Sequence, residues 1–213
     1  MFKVLKKSKV ASNAVWIIIG KVAQSILSLI VGMMTARYMG PSNYGLISYA
    51  ASIVAFVVPI MNLGLSNVLV QEYTNQPEKE GEIFGSAIVV SILSSLCCIF
   101  GVTLFTLFFD NGKPETNLVV ILYSLMLIFQ AFELITYWFQ AKFLSKYVAI
   151  ASFISYGVVS AYKILLLAKK ASIFWFALSN SIDYFLIALL LIITYKTVSY
   201  THLRAHETSL HLV

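Results

Sequence analysis

Five charged residues lie within or beside long apolar stretches of the sequence. Lys21, Glu133, Lys163 and Asp183 lie inside such stretches, and Arg37 lies at the end of the first one. A formal charge near the centre of a bilayer costs at least about 2.5–3.5 kcal/mol, so such residues usually face a bundle interior or a water-filled cavity. Basic side chains can hold an anionic group there, and carboxylates can balance that charge or carry protons. We therefore predict that these residues line an internal polar cavity.

Most of these residues also have a purely structural interpretation. Lys21 and Lys163 can extend their aliphatic stems toward a membrane surface, and Lys163 is only about one and a half helical turns from Lys169. Glu133 can pair with a lysine and stabilise a helix bundle, and Arg37 can mark the membrane surface. The sequence leaves these interpretations open beside a role in transport.

The overall composition places these charges in a membrane. Hydrophobic residues make up 60% of the 213 residues, charged residues 11%, and the mean hydropathy is +0.87. Soluble domains have roughly 45–50% apolar and about 25% charged residues. The net charge of +6 does not indicate a nucleic-acid partner, because the basic residues lie mainly at the ends of apolar stretches, where they orient membrane helices.

The residue types needed for several kinds of catalysis are scarce. Residues 1–197 contain no histidine and two aspartates, Asp110 and Asp183. A His–Asp catalytic pair and a metal site built from paired acids are therefore not expected. The adjacent Cys97 and Cys98 lie in an apolar stretch and are expected to behave as small hydrophobic residues. We expect no enzymatic activity, no metal and no other cofactor.

Six stretches are long and apolar enough to cross a bilayer, whose hydrocarbon core of about 30 Å needs about 20 helical residues. They cover residues 13–36, 45–70, 83–109, 118–139, 148–168 and 173–196. Short connectors between them predict helical hairpins, and Pro59, Asn62 and Gly64 predict a kink in the second stretch. We predict an all-α membrane protein with about six transmembrane helices within residues 1–197.

Basic residues are unevenly distributed between the two sets of connectors. Eight lie on the side of the N-terminus: Lys3, Lys6, Lys7, Lys9, Lys79, Lys142, Lys146 and Lys196. Four lie on the opposite side: Arg37, Lys113, Lys169 and Lys170. Because cytoplasmic connectors carry the excess of positive charge, this bias predicts a cytoplasmic N-terminus.

The last residues, 198–213, differ in character from the rest and contain all three histidines of the chain. The string from Val198 to Thr208 resembles one translated frame of a transposon adapter used in sequencing libraries. We therefore expect that this tail is not native and that the natural reading frame continues past about Lys196. On this interpretation His202 and His206 are not metal ligands, although their i, i+4 spacing would suit one helix face.

Three stretches resemble the polysaccharide flippases, which include O-antigen and teichoic-type exporters. The most specific one is Thr35-Ala36-Arg37-Tyr38-Met39-Gly40-Pro41-Ser42-Asn43-Tyr44-Gly45, which is similar to the opening of that family. Residues 137–141 with Lys146-Tyr147 are similar to the end of the family's fourth span. Residues 169–177 with Tyr195-Lys196 are similar to the hairpin of its fifth and sixth spans. The resemblance covers residues 1–196.

The resemblance implies an exporter superfamily whose members handle drugs, oligosaccharidyl lipids and polysaccharides, with about twelve or more spans in two lobes. This chain would form the N-terminal lobe. The implied function is to move an undecaprenyl-pyrophosphate-linked oligosaccharide across the bacterial cytoplasmic membrane for surface polysaccharide synthesis. Lys21, Arg37 and Lys163 would contact the pyrophosphate, beside Glu133 and Asp183. The sugar would contact polar and aromatic side chains, of which the candidates are Gln24, Asn62, Asn67, Tyr137 and Trp138.

The partners implied are the lipid-linked oligosaccharide, membrane lipids, and the polymerase and glycosyltransferases that act on the same polysaccharide. No nucleic-acid partner is expected. Two alternatives differ in function. A drug or toxin extruder of the same superfamily is disfavoured by the stretch from Thr35 to Gly45, and a membrane transferase is disfavoured by the lack of a His–Asp pair in residues 1–197.

Overall fold

Helices form the regular structure of this chain. The computed structural model describes residues 2–62, 64–109 and 113–210, with side chains between Ala14 and Val198 except at Ser66 and Pro77. The helices are α1 (Phe2–Asn62), α2 (Leu65–Asn75), α3 (Glu80–Phe109), α4 (Pro114–Ser124), α5 (Met126–Gln130), α6 (Leu134–Ala141), α7 (Ser145–Ala168) and α8 (Ile173–Leu210). Short 3-10 turns at Pro77–Lys79 and Ala131–Glu133 lead from α2 into α3 and from α5 into α6.

Five helical stretches of the described chain are long and apolar enough to cross a membrane: Ala14–Asn75, Glu80–Phe109, Pro114–Ala141, Ser145–Ala168 and Ile173–Val198. The prediction of an all-α membrane protein is confirmed, although the number of continuous candidate spans is five rather than the predicted six or so. The first two predicted stretches, 13–36 and 45–70, belong to one run. Their connector was expected to be a loop, yet it remains helical except at Gly40.

The long helix α1 is broken into two arms at Gly40. The φ of 72° and ψ of 174° at Gly40 lie in a region that is essentially restricted to glycine, because a Cβ would clash there. Pro41 follows directly, and proline suits the first position of a helix since it has no N–H group to satisfy. We call residues 2–39 arm A and residues 41–62 arm B.

Contacts across the bundle show that the chain turns back at this break. Ser28 of arm A and Ala51 of arm B line the same cavity, although a straight helix would separate them by about 35 Å. Close to the break, the Tyr38 hydroxyl donates a hydrogen bond of 3.2 Å to the Ala171 carbonyl in the turn between α7 and α8. The two arms are therefore neighbours, and the Gly40 turn lies at the same end of the bundle as the α7–α8 turn.

Two pairs of neighbouring helical segments run parallel to each other. Arm A runs parallel to α7, since Gly20 lies against Ala149 near their beginnings and Tyr38 reaches Ala171 beyond the end of α7. The α4–α6 stretch runs parallel to α8, because the Ser181 hydroxyl donates to the Leu122 carbonyl at 2.8 Å and rings further along both helices are also in contact. The core is thus built between α1, α7, α8 and α4–α6.

A second break follows arm B. Helix α1 ends at Asn62, α2 begins at Leu65, and Gly64 has a φ of 71°, which glycine adopts readily. The predicted kink after Pro59 is therefore confirmed.

Two apolar clusters occupy the two ends of the bundle. At the end that contains α2, the buried residues are Leu69, Tyr73, Ala87, Leu134, Ile135, Trp138, Phe139, Ala151, Ile187 and Leu191. At the Gly40 end they are Met39, Ala50, Val102, Val119, Val120, Leu166, Ile173, Phe176 and Ala177. Many large apolar side chains on the outer surface are exposed, such as Phe56 at 75% and Phe108 at 79%. A surface of this kind fits contact with lipid.

Two predictions concern residues whose side chains are not described. The tail at 198–213 lies outside the described side chains from residue 199 onward, so its interpretation as a non-native adapter stays a prediction. The same holds for the lysines at positions 3, 6, 7 and 9, on which the predicted orientation depends.

We predict that Gly40→Ala destabilises the bundle. An added Cβ meets no atom within 4 Å, so the cost is backbone strain of about 1–3 kcal/mol. The matched control is Gly45→Ala, which also meets no atom but lies in ordinary helix, where alanine is favoured by roughly 0.5–1 kcal/mol. Thermal unfolding in detergent, followed by tryptophan fluorescence, should give a lower midpoint for Gly40→Ala only. Equal midpoints would contradict a strained turn at Gly40.

Candidate functional site

A polar cavity of about 230 Å³ lies between arm A, the α5–α6 turn and α7. We call it the Lys21 chamber. The polar side chains that line it are Lys21, Gln24, Glu133, Thr136, Tyr137, Gln140, Ser145 and Ser152. Gly20 allows arm A to approach α7 here, since a Cβ at this position would lie 3.2 Å from the Ala149 Cβ. Small residues permit such close contact between membrane helices.

Glu133 lies in a break of regular helix. It ends the 3-10 turn Ala131–Glu133, inside the candidate span Pro114–Ala141, and a mid-helix 3-10 turn often marks strain or a functional hinge. Its carboxylate interacts electrostatically with Lys21 and accepts a hydrogen bond from the Gln130 side chain. The structure thus gives Lys21 as the lysine partner that was anticipated for Glu133.

A second polar cavity, of about 280 Å³, lies between the two arms of α1, α4, α7 and α8. We call it the Lys163 chamber. The polar side chains that line it are Ser28, Thr35, Tyr44, Ser48, Tyr123, Tyr156, Lys163 and Asn180. Lys163 is partly buried and lines this chamber, so its position is internal and differs from that of a lysine extended along the lipid-facing surface.

Asp183 is buried in α8 and lines neither chamber nor the open cleft described below, contrary to the prediction that it lines a polar cavity. The Ser155 hydroxyl of α7 donates a hydrogen bond of 2.7 Å to the Asp183 Oδ1 atom. Asp183 also interacts electrostatically with Lys163 and with Glu133. Four of the five predicted charges therefore form a connected series in which lysines stand at the two ends and carboxylates in the middle.

An open cleft of about 430 Å³ joins the two chambers. It shares Lys21 and Gln24 with the Lys21 chamber and shares Ser28 and Tyr156 with the Lys163 chamber. We call the two chambers and this cleft together the polar groove. The groove follows the interface between arm A and α7.

The other predicted residues lie elsewhere. Arg37 is exposed beside the Gly40 turn, Asn62 ends α1, and Asn67 is exposed on α2. None of these three lines the polar groove. Gln24 and Tyr137 do line it, and their contact with sugar stays a prediction.

Trp138 also lies outside the groove. It is 4% exposed within the apolar cluster at the α2 end, and its Nε1 atom donates a hydrogen bond of 2.7 Å to Glu80. The Glu80 carboxylate is also ion-paired with Lys142. Trp138 therefore ties α6 to the beginning of α3, and the expectation that it offers its ring to sugar was wrong because the ring is packed in the core.

The groove has the chemistry of a site for an anionic, hydroxyl-rich ligand. Ammonium groups form strong charge-assisted hydrogen bonds with phosphate oxygens, while hydroxyl and amide side chains can donate to or accept from sugar hydroxyls. The carboxylates balance the lysines when no ligand is bound. Among the described residues, no group of three or more His, Cys, Asp or Glu side chains is placed to hold a metal ion.

The family model for polysaccharide biosynthesis proteins matches residues 10–211 of this chain. The chain belongs to the polysaccharide biosynthesis protein family. No curated protein and no solved structure matches it. Together with the five candidate spans, the family match shows a multi-pass membrane protein of polysaccharide biosynthesis.

Several groove residues of this polysaccharide biosynthesis protein were not anticipated, although the sequence carries a signal for them. On arm A, Lys21, Gln24, Ser28 and Thr35 follow one another at intervals of three, four and seven residues. On α7, Ser145, Ser152, Tyr156 and Lys163 follow at intervals of seven, four and seven. Such intervals place residues on one helix face. The two polar stripes could therefore have been found before the fold was known.

We predict that Ser155→Ala destabilises this polysaccharide biosynthesis protein, because it removes a hydrogen-bond donor from the buried Asp183 carboxylate. Loss of a partner from a buried charged group costs about 1–3 kcal/mol or more. Ser160→Ala is the matched control, since Ser160 is also buried on α7 but lies more than a turn away from Ser155. Thermal unfolding in detergent should give a clearly lower midpoint for Ser155→Ala. A shift that is no larger than the control's would contradict the role of Ser155.

Proposed function

We propose that this protein takes part in flipping a lipid-linked oligosaccharide from the inner to the outer leaflet of the bacterial cytoplasmic membrane. The substrate carries a pyrophosphate between its undecaprenyl chain and its sugars, and the polar groove holds this head group. The observation that carries the proposal is a groove with internal lysine–carboxylate interactions between membrane-spanning helices, in a chain of a polysaccharide biosynthesis family.

Lys21 is the main contact for the pyrophosphate in this proposal. It is exposed toward the open side of the groove, so a head group can reach it from the bilayer. The Glu133 carboxylate interacts with it electrostatically, and a lipid-linked pyrophosphate with two negative charges can form charge-assisted hydrogen bonds with Lys21. Gln24 and Tyr137, in the same chamber, are placed to contact the first sugar.

The polyprenyl chain stays in the lipid in this proposal. Beside the groove, arm A exposes the apolar side chains of Val22, Ile26 and Leu29, which are 53%, 57% and 64% exposed. A hydrocarbon chain can lie against this face while the head group enters the groove. Separating the two parts of the substrate in this way avoids moving the charged group through hydrocarbon, which would be costly.

Further parts of the proposal follow the family resemblance. A second lobe faces the open side of the groove and closes it, the N-terminus lies in the cytoplasm, and no bond of the substrate is made or broken. The partners are the enzymes that supply the lipid-linked oligosaccharide and the polymerase that consumes it. The groove supports a binding role because its lining includes two lysines, one carboxylate, hydroxyls and amides carried on helices.

We predict that Lys21→Gln weakens binding of a prenyl pyrophosphate in the Lys21 chamber by about tenfold or more, for the chain in lipid nanodiscs, since hydrogen bonds to charged groups contribute about 1.5–3 kcal/mol. Isothermal titration calorimetry with geranyl pyrophosphate measures this affinity. Lys169→Gln is the matched control, because Lys169 is exposed in the α7–α8 turn outside the groove. The control should bind as the unchanged chain does.

Two results would overturn the proposal. The first is binding of geranyl pyrophosphate by the Lys21→Gln variant with the same stoichiometry and the same affinity as by the Lys169→Gln variant. The second is tight binding of the lipophilic cation tetraphenylphosphonium with no binding of the pyrophosphate, which would favour a drug extruder. A test in cells uses a strain that lacks its flippase: Lys21→Gln should fail to restore surface polysaccharide, while Lys169→Gln should restore it.

A further inference from the structure

We infer that the Lys163 chamber is a second binding station for the anionic head group, separate from the Lys21 chamber, and that the polar groove passes the head group from one lysine to the other. This inference rests on the proposed function. It adds a route: the substrate is held at two positions along α7 during its movement.

The first support is the distance between the two lysines along the groove. Arm A and α7 run side by side, and Gly20, next to Lys21, lies against Ala149. From Ala149 to Lys163 the helix rises about 21 Å, at 1.5 Å per residue. A hydrocarbon core is about 30 Å thick, so the two lysines span most of the region in which a phosphate would otherwise have no charged partner.

The second support is the continuity of polar surface between the two positions. The connecting cleft is lined by Gln24, Ser25 and Ser28 of arm A and by Tyr156 of α7. Ser28 and Tyr156 also line the Lys163 chamber. A head group that leaves Lys21 therefore meets hydroxyl and amide groups at each step until it reaches Lys163.

The third support is that each lysine has one carboxylate within electrostatic range. Lys21 interacts with Glu133 and Lys163 with Asp183. The Ser155 hydroxyl donates to Asp183, so this carboxylate keeps a hydrogen-bond partner when a phosphate takes its place beside Lys163. Each station is thus balanced when it is empty, and neither leaves a bare charge at membrane depth while the other is occupied.

The Lys163 chamber is lined by more polar and aromatic side chains than an ion pair alone would require. Tyr44, Tyr123 and Tyr156 present aromatic rings with hydroxyl groups, and Asn180 adds an amide. Tyrosine combines an apolar face with a polar tip, which suits a sugar ring with its hydroxyls. The volume of about 280 Å³ is at the lower end of the roughly 300–1,000 Å³ typical of ligand pockets. The chamber therefore fits a pyrophosphate with one attached sugar rather than a whole oligosaccharide.

The test is calorimetric titration of geranyl pyrophosphate into the full chain in lipid nanodiscs. The unchanged chain should bind two equivalents. Lys163→Gln and Lys21→Gln should each lose one equivalent, or weaken it by about tenfold or more, and the double variant should lose both. Lys163→Arg keeps the charge and should retain the second equivalent, which separates loss of binding from loss of folding. Lys169→Gln should bind two equivalents.

The outcomes separate this inference from the proposed function. One equivalent that disappears in Lys21→Gln and persists unchanged in Lys163→Gln would overturn the second station and leave the proposed function intact. No binding by the unchanged chain would overturn both. If Lys163→Arg fails along with Lys163→Gln while gel filtration shows an intact protein, the second station is also overturned, because lysine binds phosphate as a point charge and arginine retains that charge.

Discussion

The need to give every charge at membrane depth a partner is the constraint on which the rest of this structure depends. Lys21, Glu133, Asp183 and Lys163 come from four different parts of the chain, and each carboxylate lies within electrostatic range of one of the lysines. A charged side chain without an interacting partner would have a high free energy in the hydrocarbon core. Bringing them together requires arm A, the α5–α6 turn, α7 and α8 to pack around one interior, so the charges define which helices must be neighbours.

The reversal at Gly40 makes this arrangement possible. If α1 continued straight, its second half could not return to the bundle, and the chamber that holds Lys163 would lose the wall formed by Tyr44 and Ser48. The turn needs a backbone conformation that glycine adopts and other residues resist. A single residue thus converts one long apolar helix into two packed arms. The Tyr38 hydrogen bond to Ala171 holds the turn against the neighbouring helical hairpin.

The balance of charge within the groove also bears on function. The groove is lined by Lys21, Lys163 and Glu133, and the buried Asp183 interacts electrostatically with Lys163 from outside the lining. The formal charges of the two lysines and the two carboxylates therefore balance. The same residues can therefore bind a phosphate and remain stable when no ligand is bound. Arg37, which is exposed at the Gly40 end, lies outside this balance and has no such internal counter-charge among the groove residues.

The sequence by itself determined the membrane class, the all-helical structure, the family and the candidate charged residues. Each of these depends on a local property: the length of an apolar stretch, the free-energy cost of a charge within it, or the specific residues around Gly40-Pro41. It also carried the polar stripes of arm A and α7, since helical periodicity depends on spacing alone. Only the tertiary structure decided that Glu133 lies within electrostatic range of Lys21, that Ser155 donates a hydrogen bond to Asp183, and that Trp138 is buried against Glu80. The physical reason is that these contacts join residues far apart in the chain, and helix packing, which the local pattern does not specify, sets which faces meet.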